Sequence, residues 1–282
     1  MGPIRRYHTR SLRERDGCRA PAADVTSGNN HHPAAIITAD DFGYTASANR
    51  AIVRSLQEGL VSHASVMVNT PWFEEACDLA RQTRVEARVG LHLNLAEGVP
   101  LTDAMRGCPR FCINGRYIDP DVRERFVPLS RGEQRAVAGE IRAQIAAARE
   151  RGLAIRHLDS HRYVHTAPNL ARVIARIARE LQVPRVRPYY CPPSSRGLRT
   201  LGKSAYNAWL SMRGFRHVRF FGSIDDILWL GRRGRLVGGS VEVMTHPLLG
   251  DAGVLMDGEE GQLIARLSQL APWIAPIGAT IP

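Results

Sequence analysis

Ala35-Ile-Ile-Thr-Ala-Asp-Asp-Phe-Gly43 is the stretch on which the fold turns. Its apolar β-type run ends in two adjacent carboxylates, Asp40 and Asp41, and a helical pattern follows with Ala48, Ile52 and Leu56 on one face and Gly59 at its end. That is a strand, a loop and a helix. The unit then recurs. Residues 63–69 read as a strand, and Pro71 opens a helix carrying Phe73, Ala76, Cys77 and Ala80. Val89, Leu91, Leu93 and Leu95 alternate with Gly90, His92 and Asn94, so the third strand has two distinct faces. Residues 100–130 read as irregular. A helix over 133–151 ends at Gly152 and hands over to a strand over 154–159. Pro168 starts a helix whose Leu170, Val173, Ile174, Ile177, Ala178 and Leu181 form an apolar stripe. Residues 185–187 and 240–245 read as later strands, and Leu263, Ile264, Leu267 and Leu270 mark a terminal helix.

Strands alternating with helices imply βαβ units and a largely parallel sheet. Six or seven such strands favour an α/β fold of the TIM-like type, a distorted or incomplete (β/α) barrel in a single domain over residues 34–282. Residues 1–33, Arg-rich and without apolar periodicity, read as a disordered basic extension. The 282 residues can bury a core without disulfide staples, and 44% hydrophobic with 23% charged residues excludes collagen-like and wholly disordered readings. No GxGxxG or GxxxxGK[ST] loop follows any strand, which disfavours dinucleotide-dependent dehydrogenases and P-loop NTPases. No apolar run is long enough to span a bilayer, and a cytoplasmic location is expected. Five scattered cysteines point to reduced thiols, and Cys108 with Cys112 is a weak metal signal without a second pair.

The net charge of +11 is unevenly spread: residues 185–235 hold 11 basic residues against 2 acidic ones. Only Lys203 is lysine, so the excess reflects an arginine bias as much as a design for phosphate. No nucleic-acid-binding motif accompanies it, and no nucleic-acid partner is expected. The same stretch holds Tyr206, Trp209, Leu210 and Arg213 at helical spacing. They read either as a packing helix with a solvated Arg face, or as a lid offering aromatic platforms to sugar and Arg213 and Arg216 to a phosphate- or lipid-linked acceptor at an anionic membrane surface.

Four polar clusters lie at or just beyond the C-terminal ends of the strands: Asp40 with Asp41, His92 with Asn94, Asp159 and His161 with His165, and Thr245-His246-Pro247. In a parallel α/β fold those ends share one face, where active sites are built. Any one cluster has a bland reading, a core histidine or a helix cap; their convergence carries the functional one. One carboxylate and two imidazoles bind a divalent ion and leave positions open for water and substrate. Neighbouring side chains on an extended backbone point apart, so one of Asp40 and Asp41 would hold the metal and the other stay free as a base. His246 would protonate a leaving amine. The chemistry is metal-assisted amide hydrolysis.

Thr38-Ala-Asp-Asp-Phe-Gly43, Gly90-Leu-His-Leu-Asn-Leu-Ala-Glu-Gly98 with Pro100-Leu-Thr102, His157-Leu-Asp-Ser-His161 with Val164-His165, and Glu242-Val-Met-Thr-His-Pro247 resemble, in order, the signature blocks of the YdjC-like carbohydrate deacetylases. That family includes chitooligosaccharide deacetylase and hopanoid-associated members. The resemblance implies a distorted (β/α) barrel, one divalent metal ion, Mg²⁺ or Zn²⁺, and removal of the acetyl group from an N-acetylated sugar. It implies Asp41, His92 and His161 as metal ligands, Asp40 as general base and His246 as general acid, with Asp159 and His165 orienting ligands or touching sugar. Tyr163 stands where the family usually has another His, pointing to an altered sugar subsite or altered surroundings of the ligands, with the three implied ligands intact. A homodimer is a further implication.

Three residues carry a double reading. Asn94, and likewise Asn69 at the end of the second strand, either reaches substrate or bonds backbone, and Arg187 either steadies the base carboxylate or lies on the surface. His63, His157 and His217 have no partner motif and read as structural. A phosphoester or other ester hydrolase on the same rim is the competing enzyme, and a basic nucleic-acid-binding protein the competing class.

Overall fold

The strand and helix units occur in the order the hydrophobic pattern implies. The structure, a computed structural model, describes residues 33–118, 126–189, 198–258 and 261–276, so the reading of the first 32 residues lies outside the described residues. The first units are β1 (Ala34–Phe42), α1 (Ala46–Gln57), β2 (His63–Val66), α2 (Phe73–Thr83) and β3 (Val89–Leu93). The stretch expected to be irregular contains a short helix, α3 (Asp103–Arg106), and a hairpin of β4 (Cys112–Ile113) and β5 (Arg116–Tyr117). Then come α4 (Arg131–Glu150), β6 (His157–Ser160), α5 (Pro168–Glu180), β7 (Arg185–Val186), α6 (Leu198–Met212), β8 (Phe220–Ser223), α7 (Ile224–Arg232) and β9 (Ser240–Thr245). A second hairpin, β10 (Pro247–Leu249) with β11 (Leu255–Asp257), precedes α8 (Leu263–Ser268) and β12 (Ala275–Pro276).

The main sheet runs β7-β6-β3-β2-β1-β9-β8, with β12 added beside the start of β1. Every pair in it is parallel. Its two outer strands are tied together. Arg185 in β7 makes a parallel bridge with Arg216, upstream of β8, and the Arg216 N–H donates to the Pro184 carbonyl at 2.9 Å. The sheet therefore curls toward closure as a distorted (β/α) barrel, its outer strands β7 and β8 joined through this bridge and not through a full ladder. Among the described residues no helix is long and apolar enough to cross a membrane.

The basic aromatic segment belongs to the barrel wall. It supplies β7, α6, β8 and α7. Leu210 is buried, and the partly buried Tyr206 donates its hydroxyl to the His165 carbonyl at 2.9 Å. The lid reading gives way to the packing one for the face of α6 that these residues occupy. Phe220-Phe221-Gly222-Ser223 escaped notice as a strand because its flanks are rich in arginine, which hides the usual boundary between core and loop. The strand expected over 154–159 is shorter and later, His157–Ser160.

Parallel pairing sets which side chains meet inside. His92 lies opposite Asp159 and Leu91 opposite Leu158 in the β3–β6 register. One residue pair earlier, Gly90 packs against the ring of His157, and a Cβ at position 90 would fall on that ring. His157 is itself edge-on to His63, with ring centroids 5.7 Å apart. Burial, with help from the Arg185 charge, pulls the His63 imidazole down to about 4, and the same two causes lower His157.

Two outcomes follow for stability. Gly90→Ala should cost about 1–3 kcal/mol in urea unfolding through overpacking, and His157→Ala in the same chain should recover part of that loss. The folded His63 titrates below its unfolded value of 6.5, so the unfolded chain binds more protons between about 6.5 and about 4. Stability present at neutral pH should therefore fall on acidification through that window, and melting temperatures of His63→Gln should fall less steeply there than those of the parent.

Candidate active site

β1 ends in a bulge. Its register with β9 holds from Ala34 to Ala39, but the register with β2 slips between Ala39 and Phe42. Asp41 sits at φ 64°, in the left-handed region that Asp tolerates better than most residues. Gly43 follows at φ 91°, where a Cβ would press into the Met67 carbonyl oxygen. The Tyr44 N–H closes the turn on the Asp41 carbonyl at 3.1 Å. The kink cancels the strand alternation that would have sent the two carboxylates apart, and both reach the surroundings of His92. They differ in their partners.

Asp41 faces two imidazoles. Its Oδ1 is 3.2 Å from His92 Nε2 and 3.1 Å from His161 Nδ1. One donor atom from each of the three residues can be chosen so that all lie within 4.8 Å of one another. Burial pushes the Asp41 carboxyl up, but hydrogen bonds from His161 and His92 prevail and hold it well below the usual carboxylate range.

Asp40 faces a guanidinium. Arg187 Nη1 donates to Oδ2 at 2.6 Å and Nη2 to Oδ1 at 2.8 Å, and the Ser65 hydroxyl donates to Oδ1 at 3.2 Å. Arg187 also donates through Nε to Glu242 Oε1 at 2.8 Å and pairs with Asp159 Oδ2 at 2.7 Å. It is 2% exposed, which excludes the surface reading. Burial raises the Asp40 carboxyl, yet the charges of Arg187 and His92 overcome it and leave the group lowered. Asp159, buried beside Asp40, is pushed up.

The histidines are oriented from behind. His92 Nδ1 lies 2.8 Å from Asp159 Oδ1, which turns Nε2 toward Asp41. Burial lowers the His92 imidazole, but the charges of Asp159 and Asp40 raise it to about 10. His161 presents Nδ1 to Asp41 and Nε2 toward Glu97 Oε2, at 3.6 Å. Glu97 also accepts from the Tyr44 hydroxyl at 3.1 Å and pairs with Arg162, and it is held near 2, first by its bond with His161. A carboxylate behind each imidazole is the arrangement that fixes tautomer and ring orientation in metal-ligating histidines.

Helix α4 places Glu97. Its buried Glu140 accepts from the Leu101 and Thr102 N–H groups at 2.9 Å, and its Gln144 exchanges hydrogen bonds with the Asn94 backbone. Asn94, 0% exposed, accepts at Oδ1 from the Ala96 and Glu97 N–H groups and donates to Asn69 and to the Glu97 carbonyl. Both acceptor positions and both N–H groups are used, so Asn94 shapes the loop and has none left for a substrate.

The remaining expected residues are spread around this centre. His165 is fully buried between the Ser160 hydroxyl and the Arg187 carbonyl, and burial with the Arg187 charge lowers it to about 3, so it is a neutral support outside the donor group. Tyr163, at φ 54°, donates to the Met244 sulfur at 3.3 Å and lies edge-on to Phe221. His246 follows β9. Its N–H donates to Asp257 Oδ1 at 2.7 Å, its carbonyl accepts from Gly258, and its charge acts on Asp40. Cys108 and Cys112 are buried free thiols and join no candidate metal group among the described residues. Ser65, Glu97 and Glu242 join the site without having been among the residues expected from sequence; Glu97 and Glu242 lie in the family-like stretches 90–98 and 242–247, and a carboxylate between Val241 and Val243 is the available signal for the second.

A second candidate donor group, Asp40, His92 and Asp159, is also present. Arg187 already bonds both of its carboxylates, so a cation occupies that place. The donor set of Asp41, His92 and His161 has no such occupant and suits a metal with open positions.

Known proteins share this chain's pattern. The family model described as YdjC-like protein matches residues 34–262. A carbohydrate deacetylase of Vibrio parahaemolyticus serotype O3:K6 is 29% identical over 248 residues, covering 86% of this chain and 88% of the relative. One from Brevibacillus brevis is 31% identical, covering 78% and 83%. A crystal structure from Enterococcus faecalis V583, described as a cellobiose-phosphate cleavage protein, superimposes with a TM-score of 0.61 at 23% identity, covering 86% of this chain and 91% of that one; it shows the fold.

Replacing Arg187 by Met should strand three buried carboxylates and cost about 3–5 kcal/mol, the usual consequence of breaking a buried ion pair from one side. Chemical denaturation measures it, and Arg187→Lys should restore only part, since an ammonium cannot reproduce the bidentate fork.

Proposed function

This chain belongs to the YdjC-like protein family, and from that premise we propose that it is a metal-dependent carbohydrate deacetylase, removing the acetyl group from an acetamido sugar. The observation that carries the reading is the convergence of Asp41, His92 and His161 beside an Asp40 whose carboxylate is clamped by Arg187. The curated relatives named above are carbohydrate deacetylases across more than four-fifths of their own length.

Asp41, His92 and His161 would hold the ion. Two imidazole nitrogens and one carboxylate oxygen suit Zn²⁺ or a similar transition ion better than Mg²⁺, which prefers oxygen ligands. Such an ion would supply Lewis acidity toward the acetyl carbonyl oxygen and make water more acidic. Asp159 and Glu97 keep the two rings turned toward it.

Asp40 is the proton acceptor. Arg187 occupies one lone pair on each oxygen and Ser65 a second on Oδ1, which leaves Oδ2 with room to take a proton from water. Its lowered pKa keeps it ionised at neutral pH and makes it a modest base, so it depends on acidified water. The water oxygen bonds to the acetyl carbon, the carbon–nitrogen bond breaks, and His246 gives a proton to the departing nitrogen. Acetate and an amino sugar result.

Metal analysis of purified protein, combined with acetate release from N-acetylglucosamine oligosaccharides, glycolipids and nucleotide sugars, tests this. Acetate release should stop with a chelator and return with the divalent ion. Asp41→Asn should lose both metal and activity, whereas Asp40→Asn should keep the metal and lose about 10²–10⁴-fold in kcat. Phosphate release from phosphorylated substrates without acetate release would overturn the assignment in favour of a phosphoesterase.

A further inference from the structure

Two polar layers line the inside of the barrel, and the candidate active site uses the upper one. Ser65, His92, Asp159 and Arg187 belong to it, joined to one another and to Asp40. Residues two apart on a strand share a face. His63, Gly90, His157 and Arg185, each two positions earlier on the same segments, therefore form a layer beneath, toward the N-terminal ends of β2, β3, β6 and β7. That layer is buried: His63 is 3%, His157 4% and Arg185 7% exposed. The β6–β7 register sets His157 beside Arg185, and His63 is edge-on to His157.

Arg185 is the outlier of this layer. Among the described residues only Arg185 and Arg187 are buried arginines. Arg187 is shared by three carboxylates, whereas the Arg185 guanidinium makes no ion pair and its Nη1 is buried without a hydrogen-bond partner. Burial is what gives this weight. An exposed arginine without an ion pair is solvated by water at little cost, but a desolvated guanidinium needs acceptors and a counter-charge. Glu242 feels the Arg185 charge, yet its Oε1 already accepts from Arg187 Nε and the Thr38 hydroxyl. The imidazoles do not take its place. His157 is bonded to the Ala64 backbone, and its Nε2 is likewise buried without a partner. Two neighbours in register thus have opposite unmet needs: Arg185 Nη1 lacks an acceptor, and Nε2 of the neutral His157 lacks a donor.

We propose that Arg185 holds a small inorganic anion of the chloride class in the floor of the barrel, together with a water molecule that accompanies the ion. The ion accepts from Nη1 and supplies the counter-charge, and its water donates to His157 Nε2. Both neighbouring imidazoles are kept neutral, so a single positive charge faces the site and a monovalent ion balances it. Packing favours a compact ion. A Cβ at position 90 would already fall on the His157 ring, which leaves no room on that side for a phosphate or a sugar acid. The site lies one layer below Asp40 and Asp41 and does not depend on the deacetylase reading.

The test pairs thermal unfolding with crystallography. Melting of the full chain at neutral pH is followed in rising sodium chloride or bromide, against sodium gluconate of equal ionic strength, whose anion is too large for the floor. Halide should raise the midpoint saturably, by roughly 3–6 °C at ten times the dissociation constant. Arg185→Met, which fills the space without a charge, should stay folded and lose the halide response. Arg185→Gln is the second variant and should lose it too. In parent crystals soaked in bromide and recorded at the bromine edge, an anomalous peak should lie within hydrogen-bonding distance of the Arg185 guanidinium. Peaks confined to surface arginines, a water alone at Arg185, or a halide response that persists in both variants would overturn the site.

Discussion

One buried guanidinium organises the mouth of this barrel. Arg187, just beyond β7, is shared among Asp40, Asp159 and Glu242, which come from β1, β6 and β9. Three carboxylates this close would be untenable in a desolvated interior without a cation between them. With it, each acquires a fixed orientation. Asp40 is clamped through both oxygens, Asp159 is turned to back His92, and Glu242 ties the far side of the mouth to the same charge. Arg187 also accounts for why the two candidate donor groups are unequal: it fills the one built on Asp40 and Asp159 and does not bond the one built on Asp41, the set to which the proposed function gives the metal ion.

The backbone supplies the rest. A parallel register sets His92 directly against Asp159, and the bulge at the end of β1 brings two successive aspartates to one neighbourhood with different partners. Helix α4 holds the loop after β3 through Glu140 and Gln144, and that loop carries Glu97 to the back of His161. Buried polar networks of this kind are stabilising only when every member is satisfied, which explains why so few side chains around the mouth are spare. His246 is steadied differently, by its backbone on the Asp257 carboxylate.

Much of this was legible in the sequence. Repeated strand–loop–helix units announced the parallel barrel, because apolar runs, caps and terminal glycines are local signals. The polar clusters at the strand ends pointed to Asp40, Asp41, His92, Asp159 and His161, since strand polarity alone puts those positions on one face. What stayed hidden depends on tertiary partners. Arg187 could not be told from a surface residue in so arginine-rich a chain, and Asn94 could not be told from a substrate contact until its four hydrogen bonds were seen. Ser65 and Glu97 carry no periodic or spacing signal. β8 was lost among charged flanks, and with it the recognition that residues 185–235 are largely barrel wall.

The central claim is that Asp41, His92 and His161 grip one divalent cation while Arg187 reserves Asp40 for proton transfer. Anomalous scattering from a crystal soaked in Zn²⁺ or Mn²⁺ and recorded at the metal's absorption edge bears on it most directly. The account predicts one strong peak within bonding distance of the three donor atoms of Asp41, His92 and His161. A peak between Asp40 and Asp159 with Arg187 displaced, or density distant from all three donors, would contradict it.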